Sequence, residues 1–281
     1  MAIANAVNAQ TAGVQCLTSA GVWNGRTITA GTGISVANGD GVSGNPTISA
    51  TGSVGGSTDV VIYDDFICSQ TSSAGLVTSA TGWIQADNSS ANGLVMGTST
   101  SAHPGVVELR CSTTGDSGMI VGRGYTPVTP LGIILGGGVI TYSTVIKLGA
   151  LGVLNDDYSI YIGIGDLTDA NAEVSNGVYL HYTRLTNSGN WVGKTASGGS
   201  RNSVNSSIAV TTNWVKLGFV INAAASSVEF FIDGVSIGTQ ASTIPTTEIG
   251  FFYQLSGISG ATLKTLSVDL VNYNQTLTNA R

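Results

Sequence analysis

From residue 60 onward the chain repeats one pattern, apolar residues at every second position in short runs, each run closed by Gly, Asn, Asp or Ser. A period of two places all the apolar side chains of a run on one face of an extended strand, and a helix cannot reproduce it. In YSIYIGIGD the shared face carries Tyr158, Ile160, Ile162 and Ile164; in GVYLHYT it carries Val178, Leu180 and Tyr182. In WVKLGFVI it carries Val215, Leu217, Phe219 and Ile221, and in SVEFFIDG it carries Val228, Phe230 and Ile232. Each strand thus has a face for a core and a face for solvent, the property of antiparallel sheets that stack in pairs. The expected class is all-β, with residues 60–273 forming one sandwich. A closed barrel has the same periodicity, and the uneven strand lengths favour the sandwich.

Asp233-Gly234 between two alternating runs is a strong hairpin signal, and Trp214 is placed to cover one end of the core. The most apolar stretch, Leu131 to Ile140, reads as a buried strand; it is half the ~20 residues that span a bilayer, so no membrane insertion is expected. Phe231, opposite Phe230, is an exposed aromatic unless another subunit covers it. Composition excludes several classes. With 42% hydrophobic residues and a net charge of −6, the chain should bury a core, unlike a disordered one. Ten Lys plus Arg, scattered over a chain of pI about 4.6, make no basic footprint, so no nucleic acid is expected as a partner. Cys16, Cys68 and Cys111 are widely spaced and lack a CxxC pair, which fits a reducing compartment with neither a disulfide framework nor a zinc site. The N-terminus has no basic region followed by an apolar run, so it does not read as a secretory signal.

The first fifty residues differ in texture. Thr27 to Thr29, Ile34 to Val36 and Thr47 to Ser49 are very short β-prone runs among the turn signals Asn38-Gly39-Asp40-Gly41 and Gly44-Asn45-Pro46. So small a stretch removes too little of its own surface from water to be stable alone, and it should associate with identical copies or dock on a larger body. The expected organisation is an attachment and oligomerisation segment over 1–52, a flexible linker over 53–59, the sandwich over 60–273 and a C-terminal tail over 274–281.

The run TITAGTGISVANGDGVSGNPTISATG, Thr27 to Gly52, resembles a glycine-rich β motif of tailed-bacteriophage fibre proteins. The stretch from Ile62 to Tyr273 resembles the laminin-G/concanavalin-A-like jelly roll of phage and prophage virion proteins. Its marks are YDDF (Tyr63 to Phe66), HPGVVEL (His103 to Leu109), YSIYIGIGD, NGVYLHY (Asn176 to Tyr182), Asn190-Trp191, SVEFFIDGVSIGT (Ser227 to Thr239) and LKTLSVDLVNY (Leu263 to Tyr273). The resemblance implies a concanavalin-A-like jelly-roll β-sandwich behind a short N-terminal segment, in a virion fibre or short spike that is commonly a homotrimer. It also implies assembly in the host cytoplasm, display on the virion surface, and contact with tail or capsid proteins through the N-terminal segment.

Catalysis must be argued from residues, not from a fold of this kind. Retaining glycoside hydrolysis needs two carboxylates about 5 Å apart. The hydrolases of this fold carry E-x-D-x-x-E, and none of Glu108, Glu173, Glu229 or Glu248 stands in such a motif. Glu229 reads as a solvent-facing position. A lyase site would draw on Tyr179 and His181, which share the outer face of one strand, with Tyr161 and Arg184 nearby; two histidines in the whole chain make this a weak basis. No G-x-S-x-G elbow is present, and GTGISV has Val36 where a phosphate loop needs glycine. Asp64-Asp65, Asp156-Asp157 and Asp166 with Asp169 could offer oxygen ligands to calcium, but adjacent acids at strand ends are commonly turn caps. No enzyme activity, cofactor or metal is expected.

For ligand recognition the candidates are Tyr179, His181, Arg184 and Trp191, with Lys194 in reach, because sugars bind aromatic faces flanked by hydrogen-bond donors. The expected function is adhesion to a host-surface polysaccharide. A capsid-bound head fibre or decoration protein is the alternative reading, and a polysaccharide-degrading enzyme is the third.

Overall fold

The computed structural model describes residues 14–17, 23–31, 33–50, 58–66, 83–87, 92–111, 118–123, 132–166 and 169–279, and the chain divides into two units, 1–57 and 58–280. In the first unit β1 (Val14–Leu17) pairs antiparallel with β2 (Trp23–Arg26), and β3 (Ile34–Ala37) with β4 (Thr47–Ala50). The second and third expected runs are thus strands, whereas Thr27 to Thr29 is not. There the Ile28 N–H donates to the Gly39 carbonyl at 2.8 Å and spends the strand's donor on a loop. That approach requires glycine, since a Cβ at Gly39 would collide with the Ile28 carbonyl. Ile34, Val42 and Ile48 remain exposed. Residues 53–57 of the expected linker lie outside the described residues, as do Cys68 and the side chain of Cys16.

The second unit contains β5 (Asp59–Asp64), β6 (Trp83–Asp87), β7 (Gly93–Met96), β8 (Val107–Cys111), β9 (Gly118–Arg123), β10 (Gly138–Leu148), β11 (Tyr158–Gly165) and β12 (Gly177–Thr183). It continues with β13 (Asn190–Ser197), β14 (Ser200–Ala209), β15 (Val215–Ile221), β16 (Val228–Ile232), β17 (Val235–Gln240), β18 (Gly250–Gly257) and β19 (Lys264–Leu277). One sheet runs β17-β16-β15-β10-β19-β8-β7, with β5 also on β19; the other runs β14-β13-β12-β11-β18-β9-β6. Two separate open sheets make a jelly-roll sandwich, not a barrel. The residues assigned to inner faces of β11, β12, β15 and β16 all join one buried core with Trp83, Tyr142, Phe251 and Tyr273. Asp233 and Gly234 form the two-residue turn between β16 and β17, both at positive φ, 50° and 79°.

β19 pairs with β10 along one edge, and on the other with β8 through Lys264–Val268 and β5 through Val271–Thr276. It extends to Leu277, into the stretch assigned to a tail. The apolar run before β10 is not one buried strand. Ile133 makes an isolated bridge to Ile249, Ile134 is exposed, and the ladder begins only at Gly138, because Gly136 and Gly138 sit at positive φ and turn the chain first. Phe231 lies half buried beside its cross-strand partner Gly218, lining a hollow of about 260 Å³ on the outer face of its sheet.

Candidate outer-face site

The expectation of one wet face per strand fails for β12 and β18, which are buried on both sides. The loop that follows β11 is the cause. Asp166 fixes it by accepting from the N–H groups of Ser175 and Asn176, at 2.9 and 2.8 Å, and from Asn176 Nδ2 at 2.7 Å. Ala170 and Val174 then pack on Tyr179, Ala196 and Phe252, with Tyr161 against them, as a second small core on the outer face.

Cross-strand register sets out what lies beneath and beside this loop. One row across the sheet is Gln254, Tyr161, His181 and Val192; the next is Ser256, Ser159 and Thr183; on the other side lie Phe252, Gly163, Tyr179 and Lys194. The His181 ring stacks on Tyr161, centroids 4.5 Å apart and planes within 4°. It is 3% exposed, and neither ring nitrogen has a protein partner. Burial foremost, and Lys194 next, lower its pKa from 6.5 to about 3 against the opposing pull of Glu173, so the ring is neutral. Thr183 Oγ1 and Gln254 Oε1 are also buried without partners. Gln254 Nε2 is engaged, donating to the carbonyls of Ala170 at 2.9 Å and Ala172 at 3.0 Å.

An ionic rim borders this floor. Glu173 Oε1 accepts from Lys194 Nζ and from the Tyr179 hydroxyl, both at 2.7 Å, while Arg201 Nε stands 3.5 Å from Oε2. Burial raises the Glu173 pKa, but the hydrogen bonds from Lys194 and Tyr179 outweigh it and hold the carboxyl below its usual value. Arg201 is itself pinned, donating from Nη2 to the carbonyls of Glu173 and Val174, each at 2.9 Å. Two cations therefore share one carboxylate, and the rim carries a formal excess of one positive charge.

The candidates chosen from sequence separate on this map. Tyr179, His181 and Lys194 do share the outer face, yet Tyr179 and His181 are covered and offer no open aromatic platform. Trp191 is not a surface residue. Alternation along β13 turns Lys194 outward and Trp191 inward, where it is 1% exposed and packs 6.0 Å from Tyr182. Arg184 lies at the far end of β12, with Nε 3.7 Å from Asp157 Oδ2, and does not join the cluster. Glu173, Arg201, Thr183 and Gln254 were not anticipated. The pairing of Tyr179 with Lys194 follows from a β12–β13 hairpin, but Glu173 arrives on an irregular loop with no periodic signal. Among the described residues no group of three His, Cys, Asp or Glu could hold a metal ion. Asp64 has a structural role, accepting from Trp83 Nε1 at 2.8 Å and the Phe66 N–H at 2.9 Å.

Comparison with known proteins places this geometry in a family. No curated protein matches the sequence. Among solved structures, a protein of unknown function, SO2946, from Shewanella oneidensis MR-1 is 17% identical, with 79% of this chain covering 89% of that one at a TM-score of 0.53. A sialidase is 12% identical, 78% of this chain covering 18% of it at a TM-score of 0.47, and a Bacillus licheniformis β-glucanase is 15% identical, 76% covering 97%, at 0.44. The likeness to the Shewanella protein concerns the fold. The model described as SO2946-like, C-terminal domain, matches residues 102–269, the span that holds every residue of the outer-face cluster, and the chain belongs to the SO2946-like C-terminal domain family.

Proposed function

We propose that this protein is a non-catalytic adhesion module of a virion appendage, and that its sandwich binds a polyhydroxylated ligand, a glycan, on the outer face of the seven-stranded sheet. One observation carries the reading: the two His181 nitrogens, Thr183 Oγ1 and Gln254 Oε1 are four buried hydrogen-bonding atoms without protein partners on β12 and β18, the two strands that flank β11, on one face of the sheet. Buried polar groups are nearly always paired, so such a concentration leaves unused hydrogen-bonding capacity just beneath this face, of the kind that hydroxyl groups, which donate and accept, would satisfy. The half-buried Tyr161 ring offers an apolar wall beside it. Adhesion is favoured over hydrolysis because the carboxylate at this face, Glu173, is held by Lys194, Tyr179 and Arg201 and is not free to take or give a proton. Assignment to a virion rests on the likeness of Thr27 to Gly52 to phage fibre sequences. The exposed Ile34, Val42 and Ile48 support self-association or docking of that segment, with a homotrimer the preferred assembly. Several weak sugar sites on one stalk raise effective concentration and hold a particle by avidity.

The test is a glycan array probed with the full chain, followed by titration calorimetry on a hit. Thr183→Val and Lys194→Met should each weaken binding about tenfold, the equivalent of ~1.4 kcal/mol. An array without a hit, or hits indifferent to both substitutions, would refute the site. Gold-labelled antibody against residues 60–273 on intact particles tests the virion assignment separately; label over the tail supports receptor binding, label over the head supports the decoration alternative, and unlabelled particles refute both.

A further inference from the structure

Three loops meet at one end of the sandwich, residues 149–157 after β10, 184–189 after β12 and 258–263 after β18. They are tied together by hydrogen bonds. The Asp157 N–H donates to the Ser259 carbonyl at 3.2 Å and the Ile258 N–H donates to the Asp157 carbonyl at 2.9 Å. The Gly152 N–H donates to the Tyr182 hydroxyl at 3.1 Å, and Gly152 lies against the Arg184 side chain. From this knot project Leu151, Val153, Leu154, Leu185, Ile258 and Leu263, all exposed, Leu154 at 76% and Leu185 at 68%. So many aliphatic side chains at one extremity exceed the scattered apolar residues normal on a monomer.

The charges in the knot are neutralised in place. Lys264 Nζ donates to Asp156 Oδ1 at 2.6 Å, the Thr262 hydroxyl also donates to Asp156, and Arg184 faces Asp157. Two acids and two bases leave no net charge to strip of water. At the same end the ring of Trp214 is stacked on His103 at 4.1 Å, with the exposed Lys147 ammonium 6.0 Å from its centre.

We propose that this tip is a peripheral lipid-docking surface, inserted by its aliphatic loops into the outer layer of a bilayer without spanning it. Three features select lipid over a protein partner. The surface is a set of projecting loops dominated by Leu, Ile and Val, whereas protein interfaces favour Tyr, Trp, Met and Arg, and their energetic centres are poor in Leu and Val. Six partly exposed side chains amount to a few hundred Å², short of the ~800 Å² per partner of a stable dimer. Trp214 and Lys147 supply the flanking residues that favour the headgroup layer. The chain enters this unit at the other end, where the Leu277 N–H donates to the Thr58 carbonyl.

The experiment is cosedimentation of the full chain with large unilamellar vesicles of phosphatidylcholine, at low and at high salt. The protein should pellet with the vesicles to the same extent at both, since apolar insertion is not screened. Leu154→Asp together with Leu185→Asp should cut partitioning at least tenfold while circular dichroism and the melting temperature stay unchanged; both positions are exposed loop sites, and Leu154→Ser with Leu185→Ser is the milder second variant. Wild-type protein that stays in the supernatant, or variants that pellet equally well, would overturn the proposal. A dimer in sedimentation velocity that disappears in the variants would overturn it in favour of a second copy of the chain.

Discussion

The neutral, buried imidazole of His181 makes stability depend on acid in a way that one substitution can isolate. In the unfolded chain this histidine takes up a proton near pH 6.5; in the folded protein burial, aided by Lys194, delays that step to about pH 3. Between those values the unfolded state holds a proton that the native state refuses, so this contribution is intact above pH 6.5 and is lost as pH falls toward 3. Each pH unit well below 6.5 costs about 1.4 kcal/mol, so moving from pH 7.5 to 5.0 removes about 2 kcal/mol. For a unit of this size that is a melting-point drop of roughly 4–8 °C. Glu173, held below the usual carboxylate range, stays ionised throughout this window and adds no slope of its own. His181→Phe keeps a ring against Tyr161 and removes both nitrogens, so its melting temperature should fall less than that of the wild type over the same interval, by that amount. The assay is differential scanning calorimetry at pH 7.5, 6.5, 5.7 and 5.0. Parallel curves for the two proteins would refute the burial argument.

The two sheets touch closely where Gly193 faces Phe230: a Cβ there would lie within 3.0 Å of three ring carbons. Gly193→Ala should destabilise by about 1–3 kcal/mol in urea titration, and Phe230→Leu in the same chain should recover at least ~0.5 kcal/mol relative to additivity. Asp64→Ala removes an acceptor of the buried Trp83 indole N–H and should cost about 1.5–3 kcal/mol, with a shift in tryptophan emission on the native baseline. Deleting residues 1–52 should abolish incorporation into particles, read by immunoblot of purified virions, while the thermal transition of the sandwich stays within about 1 °C of its original midpoint.

The architecture was largely legible because strand alternation is a local property: Val178, Leu180 and Tyr182 face the core for the same reason that Phe219 and Phe230 do. The same rule also predicted the outward facing of Tyr179 and His181. It could not predict that Tyr179 would be covered, because the cover is Ala170 and Val174 in a loop whose path is set by Asp166 hydrogen bonds. Trp191 shows how the alternation rule is misapplied when it is not carried through. Val192, Lys194 and Ala196 already defined the outer positions of β13, and counting back from Lys194 turns Trp191 inward. Arg184 follows Thr183 directly but lies past the end of the strand, where its guanidinium faces Asp157 and the alternation of β12 no longer applies. The apolar tip was invisible for another reason. Leu154, Leu185 and Ile258 come from loops far apart in the chain, each too short for a hydropathy window to register.

The strand that organises the eight-stranded sheet is the one a ribosome delivers last of those described. Thr276 of β19 meets Asp59 of β5 at a sequence separation of 217. At usual rates of synthesis β5 waits roughly 10–40 s for its ladder, while one side of β8 and one side of β10 stand with unpaired backbone groups. Vectorial folding therefore cannot proceed from the N-terminal end of this sandwich. The first strand made is the longest exposed to other nascent chains, and a product broken off before Lys264 would present three open strand edges at once, the geometry from which sheets add onto one another.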